Sequence, residues 1–291
     1  MTNQKHERKE LQTAREKLHE YFTCENFTSC QEACITRLLS GQDTVALLPT
    51  GAGKTLCYQI PALCFEGLTL VVTPLVSLMH DQVAQMTTKA KEHGLKKQIP
   101  SVYIASTQSS TKQILIDSAG GKYKLLYVTP ERLKDPVFLR FTKKANIDFL
   151  AIDEAHCISM WGYDFRAAYL EIVRFIRCLD KRPVIGAFTA TATQSVRDDM
   201  IRLLKLNTGE PVEGGFKREN LTFSLRKAGS GGEKKKKLKE YLSGHREEAG
   251  IIYCSTKEEA ESVHAYLVQE GHRPALYHAG RSSREREEEH R

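Results

Sequence analysis

The chain has a single tryptophan, Trp161, and no apolar run approaching the length that crosses a bilayer. Its first residues, Met-Thr-Asn-Gln-Lys-His-Glu-Arg-Lys, lack the apolar core of a secretion signal. A membrane or secreted protein is therefore not expected. Eight cysteines are present, yet no two form a C-x-x-C pair. Cys30 and Cys34 stand one helical turn apart, but nothing nearby completes a zinc site, so reduced structural thiols in a reducing cytoplasm are expected. Charge of one sign is not in large excess either: the net value is +7, compatible with a polyanionic partner without indicating one. What remains is a chain of 291 residues, 27% charged and 41% apolar, with room for one large or two modest domains.

Against that background one stretch stands out, Leu48-Pro49-Thr50-Gly51-Ala52-Gly53-Lys54-Thr55. A β-leaning run, Thr44 to Leu48, leads in, and a helix-compatible run from Thr55 to Ile60 leads out. Gly51 and Gly53 let backbone N–H groups curl round a phosphate without a Cβ in the way. The following helix start adds partial positive charge and Lys54 a full one, while Thr55 offers a hydroxyl to phosphate-bound Mg²⁺. Thr50, Gly51, Ala52, Gly53, Lys54 and Thr55 are thus candidate nucleotide-binding residues. Leu48 occupies the position where the strict pattern has glycine.

A charged helix is expected over Lys9–Tyr21 and a short one over Glu32–Leu39. Six apolar runs follow: Val45–Leu48, Leu68–Val72, Val102–Ala105, Leu125–Val128, Phe149–Ile152 and Val184–Phe188. Helical segments separate them, at Val76–His93, Ser109–Ser118, Arg132–Thr142, Ala168–Leu179 and Ser195–Leu206. This alternation implies an α/β fold, a parallel sheet with helices on both faces. The runs exit into Pro49–Thr55, Thr73-Pro74, Ser106-Thr107, Thr129–Arg132, Asp153–His156 and Thr189–Thr193. Ligands of such sheets sit beyond the carboxyl ends of the strands, and the chemically capable residues cluster there.

The turn-rich connection Asn207–Gly215 reads as a domain boundary, dividing residues 1–207 from 208–291. Beyond it, strands are expected at Leu221–Leu225, Ile251–Cys254 and Pro274–Tyr277, with helices at Glu233–Tyr241 and Lys257–Glu270. The lysine run Lys234–Lys237 reads better as a solvated helix face than as a nucleic-acid contact.

Asp153-Glu154-Ala155-His156 follows an apolar strand expected to be buried on both faces. A carboxylate there, Asp153, can hold Mg²⁺ through water, and Glu154 can orient and deprotonate an attacking water. With a phosphate loop upstream, the pair reads as a Walker B element.

The series Gly51–Thr55, Thr73-Pro-Leu-Val-Ser77, Thr129-Pro-Glu-Arg132, Asp153–His156 and Thr189-Ala-Thr191 resembles motifs I, Ia, Ib, II and III of superfamily 2 helicases. Leu56–Ala62, Ser77–Gln82 and His156-Cys-Ile-Ser-Met-Trp-Gly-Tyr-Asp-Phe-Arg166 resemble the RecQ family of DNA helicases. So do Phe216-x-Arg218-x-Asn220-Leu221, Ile251–Cys254 and Tyr277-His-Ala-Gly280. The resemblance implies a RecA-like P-loop NTPase domain followed by an incomplete second one. It implies an enzyme that binds ATP and Mg²⁺ and couples hydrolysis to 3′→5′ unwinding of single-stranded or forked DNA in repair, recombination and replication. Lys54, Asp153, Glu154 and His156 would then be catalytic, with Thr55 and Asp153 on Mg²⁺ and Gln31 reading the adenine edge. Thr73, Pro74, Thr129, Arg132, Trp161, Phe165, Arg166, Thr256 and His278 would contact DNA, and Thr189 and Thr191 would couple the two activities. An aromatic loop around Trp161 and Phe165 would stack on bases, unless those rings are core residues of a helix-entry loop.

Three departures from the family pattern are visible. Cys24 and Thr28 stand where the family has an aromatic and an arginine about the base, and Ala167 stands where it has proline. Motifs V and VI and a cysteine-rich zinc domain do not follow Gly280, so weak or no hydrolysis is expected of this chain unless a partner chain supplies the missing second motor domain; the alternative expectation is a non-catalytic DNA-binding or regulatory fragment of a helicase. A kinase or GTPase on the same loop leaves the Thr-Pro, Thr-Ala-Thr and aromatic words unexplained.

Overall fold

The computed structural model describes residues 2–104, 111–162, 164–215, 220–229, 231–278 and 280–282, with the side chains of 2–7 excepted. Ala105, the exit Ser106-Thr107, the expected helix start at Ser109, Tyr163, most of Phe216–Asn220, and Ala279 lie outside the described residues. The chain divides into two compact units, Met1–Lys217 and Arg218–Arg291.

In the first unit the elements run α1 (Thr2–Tyr21), α2 (Ser29–Leu39), β1 (Thr44–Leu47), α3 (Leu56–Cys64), β2 (Leu68–Val72), α4 (Val76–Met86), β3 (Ser101–Ile104), α5 (Thr111–Ala119), β4 (Leu125–Val128), α6 (Pro136–Thr142), β5 (Ile147–Ile152), α7 (Leu170–Cys178), β6 (Val184–Thr189), α8 (Gln194–Leu204) and β7 (Val212–Glu213). All seven strands form one parallel sheet in the order β3-β4-β2-β5-β6-β1-β7. The apolar runs read as strands because the central ones are buried on both faces. Alternate residues feed two cores. Val45, Leu47, Leu70, Val72, Leu150 and Ile152 pack against α5 to α8, while Ala46, Val71, Tyr127, Phe149, Ala151 and Phe188 pack against α1 to α4.

Differences from the sequence expectations have local causes. Helix α2 begins three residues early because Thr28 caps it, its hydroxyl accepting from the Gln31 amide while Gln31 Oε1 accepts from Thr28 N. Helix α4 stops at Met86 rather than His93. Thr87 turns its hydroxyl back onto the Val83 carbonyl, 2.7 Å away, and leaves the helical region. The segment expected as one helix over Arg132–Thr142 is a 3₁₀ turn, Pro130–Lys134, and then α6, broken where Asp135 caps a helix that starts on proline. Asn207–Gly215 does not leave the first unit, since Val212 and Glu213 pair with Ala46 and Leu47.

One buried carboxylate ties the base of this sheet together. Asp43, 2% exposed, accepts from both Arg182 amino groups and from the Ile185 and Asn207 amides. It thereby joins the start of β6 to the chain leaving α8.

The second unit contains α9 (Gly231–Ser243) and α10 (Lys257–Gln269). The three strands expected there are absent: no strand is present among its described residues. An extended segment becomes a strand only by pairing, and these segments pair with no neighbour among the described residues. Most of their apolar side chains stand open, with Phe223 93%, Leu225 98% and Tyr253 91% exposed, while Leu276 is buried. The lysine run is a helix face, with Lys234 and Lys237 ion-paired to Glu259 and Glu233 and Lys235 bonded to Ser262.

Two stability outcomes follow. Amide exchange should be fast from 220 to 282, outside α9 and α10, and slow in β1, β2, β4, β5 and β6; uniform protection would contradict this account. Asp43→Ala should cost about 3 kcal/mol in denaturant unfolding, because it strands two backbone donors and removes a buried charge partner.

Candidate active site

Strand order sets the site. β6 lies between β5 and β1, so Asp153, Thr189 and the loop after Leu48 emerge side by side at one edge of the sheet, roughly 5 Å per strand apart. On the other side of β5 come β2 and then β4, which end in Thr73 and Thr129.

The phosphate loop needs its glycines. Gly51 and Gly53 have φ of +85° and +71°, where a side chain is strained. A Cβ on Gly53 would also lie 2.4 Å from Gln31 Nε2. The loop is braced by Ala52 N donating to the Pro49 carbonyl and Leu48 N to the Thr189 carbonyl. Gln31 Nε2 donates to the Ala52 carbonyl at 3.1 Å. Thr55 sits in helical conformation just before α3, with its side chain not used as a cap.

Lys54 reaches back from this loop to the end of β5. Its Nζ lies 3.0 Å from Asp153 Oδ1 and 3.2 Å from Glu154 Oε1. Burial works against the ammonium, but the two carboxylates outweigh it and hold its pKa above that of a free lysine. Asp153 is buried, its Oδ1 accepting from Glu154 N and its carbonyl from the Tyr169 hydroxyl at 2.8 Å. Glu154 has left-handed backbone angles, φ 46° and ψ 44°, a strain of about 1–3 kcal/mol for a residue with a Cβ. That turn aims its carboxylate back over the loop.

His156 extends the cluster. Its Nδ1 is 2.7 Å from Thr189 Oγ1 and 3.4 Å from Glu154 Oε2. A carboxylate oxygen only accepts, so the tautomer that suits both neighbours carries its proton on Nδ1. Thr189 Oγ1 also donates to the Thr191 carbonyl and accepts from the Thr191 amide. An unbroken polar path therefore runs Lys54–Glu154–His156–Thr189–Thr191.

The loop after the 3₁₀ turn Ala155–Ile158 carries Trp161. Trp161 and Met160 are each 76% exposed and Phe165 36%, so the alternative that these side chains are core is overturned. The loop is anchored beneath by Ser159, fully buried, which donates to Asp199 Oδ2 of α8 at 2.7 Å and accepts from Trp161 N. Hydrogen bonds from Arg202 and Ser159 hold the Asp199 carboxyl below the usual range. Arg166 NH2 lies 3.6 Å from Asp164 Oδ2.

The other candidates differ in their surroundings. Arg132 bonds Asp135 at 2.7 Å, and Thr73 is buried with a hydroxyl that meets no partner among the described residues. Pro74 and Thr129 are half-buried at the same edge. Thr256 and His278 belong to the second unit: Thr256 caps α10, and His278 Nε2 lies 3.3 Å from Glu261 Oε1. Sequence reasoning missed the Ser159–Asp199 anchor, which no local pattern signals. It also missed the engagement of Gln31, although Thr28-x-x-Gln31 is a recognisable capping box.

A glycine loop ending in lysine and threonine, paired acids and a hydrogen-bonded threonine pair at adjacent ends of a parallel sheet are the arrangement of the P-loop NTPase class. The profile of the DEAD/DEAH box helicase family matches residues 28–199, and the chain belongs to that family. It is 42% identical over 282 residues to the ATP-dependent DNA helicase RecQ of Bacillus subtilis (strain 168), covering 96% of this chain and 46% of that protein. Identity to the ATP-dependent DNA helicase RecQ of Pasteurella multocida (strain Pm70) is 39% over 282 residues, 95% of this chain and 42% of that protein. The RecQ resemblance carried by the sequence words is thus borne out, and the chain spans under half the length of these relatives. The Mycobacterium smegmatis helicase Lhr, solved bound to ssDNA and AMP-PNP, superposes with a TM-score of 0.66 over 95% of this chain and 39% of that one, at 19% identity. That likeness is one of fold, the RecA-like α/β architecture.

Ser159→Ala should cost about 2 kcal/mol, since it removes a hydrogen bond to a buried carboxylate. Amide exchange at 160–166 should accelerate with it. A fall in stability with the loop's exchange unchanged would show that Ser159 does not anchor the loop.

Proposed function

We propose that this chain is the ATP-binding motor portion of a RecQ-type DNA helicase, binding ATP with Mg²⁺ and single-stranded or forked DNA. The observation that carries the reading is Lys54 held between Asp153 and Glu154 at the mouth of a glycine loop. A cation is already accepted between these two carboxylates, and hard oxygen donors from Thr55 and Asp153 suit Mg²⁺ in that place. Bound Mg²⁺ would neutralise phosphate charge. The chain's own residues do the rest. Loop N–H groups of Gly51 to Thr55 and the ammonium of Lys54 bind the phosphates, so Lys54 turns from carboxylates to phosphate as nucleotide enters. Glu154 orients water and takes its proton at a carboxylate oxygen. His156 and Thr189 hold Glu154 in line and report its state to Thr191.

Gln31 would read adenine only by giving up the Ala52 carbonyl, which couples nucleotide entry to the loop. On the DNA side, Thr73, Pro74, Thr129 and Arg132 line the strand ends next to Asp153, and Trp161 offers an open stacking surface with Phe165 and Arg166 beside it. Thr256 and His278, in the second unit, are proposed as DNA contacts in their own right. The unwinding, 3′→5′, belongs to a longer assembly in which a second motor-domain surface meets this edge. A reducing cytoplasm suits eight free thiols, and among the described residues no helix is long and apolar enough to cross a membrane.

Lys54→Ala should lower turnover by about 10²–10³-fold through lost phosphate stabilisation. Glu154→Gln should keep Mg·ATP bound while turnover falls about 10²–10⁴-fold, read by ATPase assay beside nucleotide binding. Unchanged hydrolysis in Glu154→Gln would remove it as the base.

Trp161 makes the DNA side directly readable, as the chain has one tryptophan. Base stacking of about 1–3 kcal/mol should quench or shift its emission when oligonucleotide is added. The midpoint should weaken steeply with salt. Phe165→Ala should reduce DNA stimulation of ATPase more than ATP binding. Binding by anisotropy with silent Trp161 emission would take the loop out of the DNA path. DNA binding without any DNA-stimulated turnover would favour the non-catalytic alternative.

A further inference from the structure

Past the end of β5, His156, whose Nδ1 side the ATPase reading already uses, turns its other ring nitrogen toward two side chains that reading does not use, Cys157 and Asp164. His156 Nε2 lies 3.8 Å from Cys157 Sγ, and Cys157 Sγ lies 3.9 Å from Asp164 Oδ2. All three atoms fall within 4.8 Å of one another, and among the described residues this is the one such grouping of three. His156 Nδ1 is occupied by Thr189, which leaves Nε2 with a lone pair directed to the cluster.

Zinc bonds of about 2.3 Å to sulfur and about 2.0–2.2 Å to nitrogen and oxygen put tetrahedral ligands roughly 3.4–3.6 Å apart. The two shorter separations here exceed that by a few tenths of an ångström. Only the exposed Asp164 has to swing inward to close the third. A thiol, an imidazole and one carboxylate suit a borderline-soft ion, whereas Mg²⁺ prefers an all-oxygen shell. The site would therefore discriminate against the nucleotide's own metal.

We propose that His156, Cys157 and Asp164 form a binding site for a divalent transition metal, best suited to Zn²⁺, whose occupancy pins the Trp161 loop to the end of β5. On binding, the Cys157 S–H bond breaks, its proton leaves to solvent, and the thiolate and the Asp164 carboxylate together balance the metal's two charges. The backbone already holds the two ends of the loop together, Arg166 N donating to the Cys157 carbonyl at 2.9 Å. Metal adds a side-chain bond across the same span and takes Asp164 from its contact with Arg166. That consequence matters for DNA only if the loop senses DNA, so it rests on the function proposed above. The site itself does not.

The test uses the full chain with Co²⁺ as probe in excess Mg²⁺, without ATP or DNA. One equivalent should bind with a thiolate-to-cobalt charge-transfer band that Zn²⁺ abolishes. Cys157→Ser should lose the band, and Asp164→Ala, a surface change that spares the core, should weaken Co²⁺ at least about tenfold. Zn²⁺ should also lower acrylamide quenching of Trp161 in the parent and leave it unchanged in Asp164→Ala. No band, or a band of full strength in Cys157→Ser, overturns the site. Equal Co²⁺ affinity in Asp164→Ala overturns the ligand set, and does so even where Cys157→Ser fails to fold. Binding without any change in Trp161 quenching overturns the pinning. Because no arm measures ATP turnover, failure here is separable from failure of the helicase reading.

Discussion

Every chemical relationship in the first unit depends on β6 lying between β1 and β5. Were the strands ordered as they occur in the chain, Lys54 and Asp153 would sit at opposite parts of the sheet edge. Instead β1, β6 and β5 are consecutive, and a lysine side chain spans the width of one strand to reach both acids. The inserted strand is not a passive spacer. It ends in Thr189, whose hydroxyl lies against His156 while its carbonyl accepts from Leu48 N at the entry to the phosphate loop. One residue thus touches the glycine-loop half and the acid half of the cluster. Asp43 maintains this order at the opposite end of the sheet by fixing the start of β6 to the chain leaving α8.

How much of this is legible in the sequence depends on whether the information is local. Strands buried on both faces announce themselves as apolar runs, so β2 and β4 are legible to the residue. Gly51, Gly53 and Lys54 are legible because phosphate chemistry demands those types at that spacing. Strand order is not, because pairing partners are chosen over tens to more than a hundred residues. Thr44 meets Gly186 across the sheet, for example. The second unit shows the converse. Ile251–Cys254 and Leu221–Leu225 have strand-like composition, but composition sets a tendency and a ladder needs a neighbour. Two-residue β7 is the opposite case: too short to signal itself, it is a strand because β1 offers it an open edge.

The site also shows why residue types alone underdetermine roles. Gln31 is legible as a candidate reader of adenine, yet its amide is divided between the α2 cap and the phosphate loop. Arg132 is legible as a candidate DNA contact, yet it is bonded to the carboxylate that caps α6. Both are polar groups satisfied by the protein's own atoms. Exchange of one hydrogen bond for another of similar strength costs little, whereas leaving the group bare in a half-buried site costs about 1–3 kcal/mol. Lys54 follows the same logic with charge. In each case the internal partner specifies where the ligand's oxygen or nitrogen would have to be.

Strain and exposure then divide the cluster into a strained inner part and an exposed outer one. Glu154 keeps a left-handed backbone that a residue with a side chain ordinarily avoids, and it is held there from both sides. Asp153 N donates to the Val72 carbonyl, and Cys157 N to the carbonyl of Glu154 itself. Immediately beyond, the chain emerges to put Trp161 and Met160 in solvent, tethered beneath by the buried Ser159 side chain. A residue locked in an unfavourable conformation beside an open loop on a buried anchor is a lopsided pair. Between the Ser159 anchor and Glu154 lies only the short 3₁₀ segment 155–158, which Glu154 precedes. The aromatic loop is thus joined to the site by a few residues of backbone, ending at the residue whose carboxylate faces Lys54. Behind that residue β5 is hydrogen-bonded on both sides, to β2 and to β6.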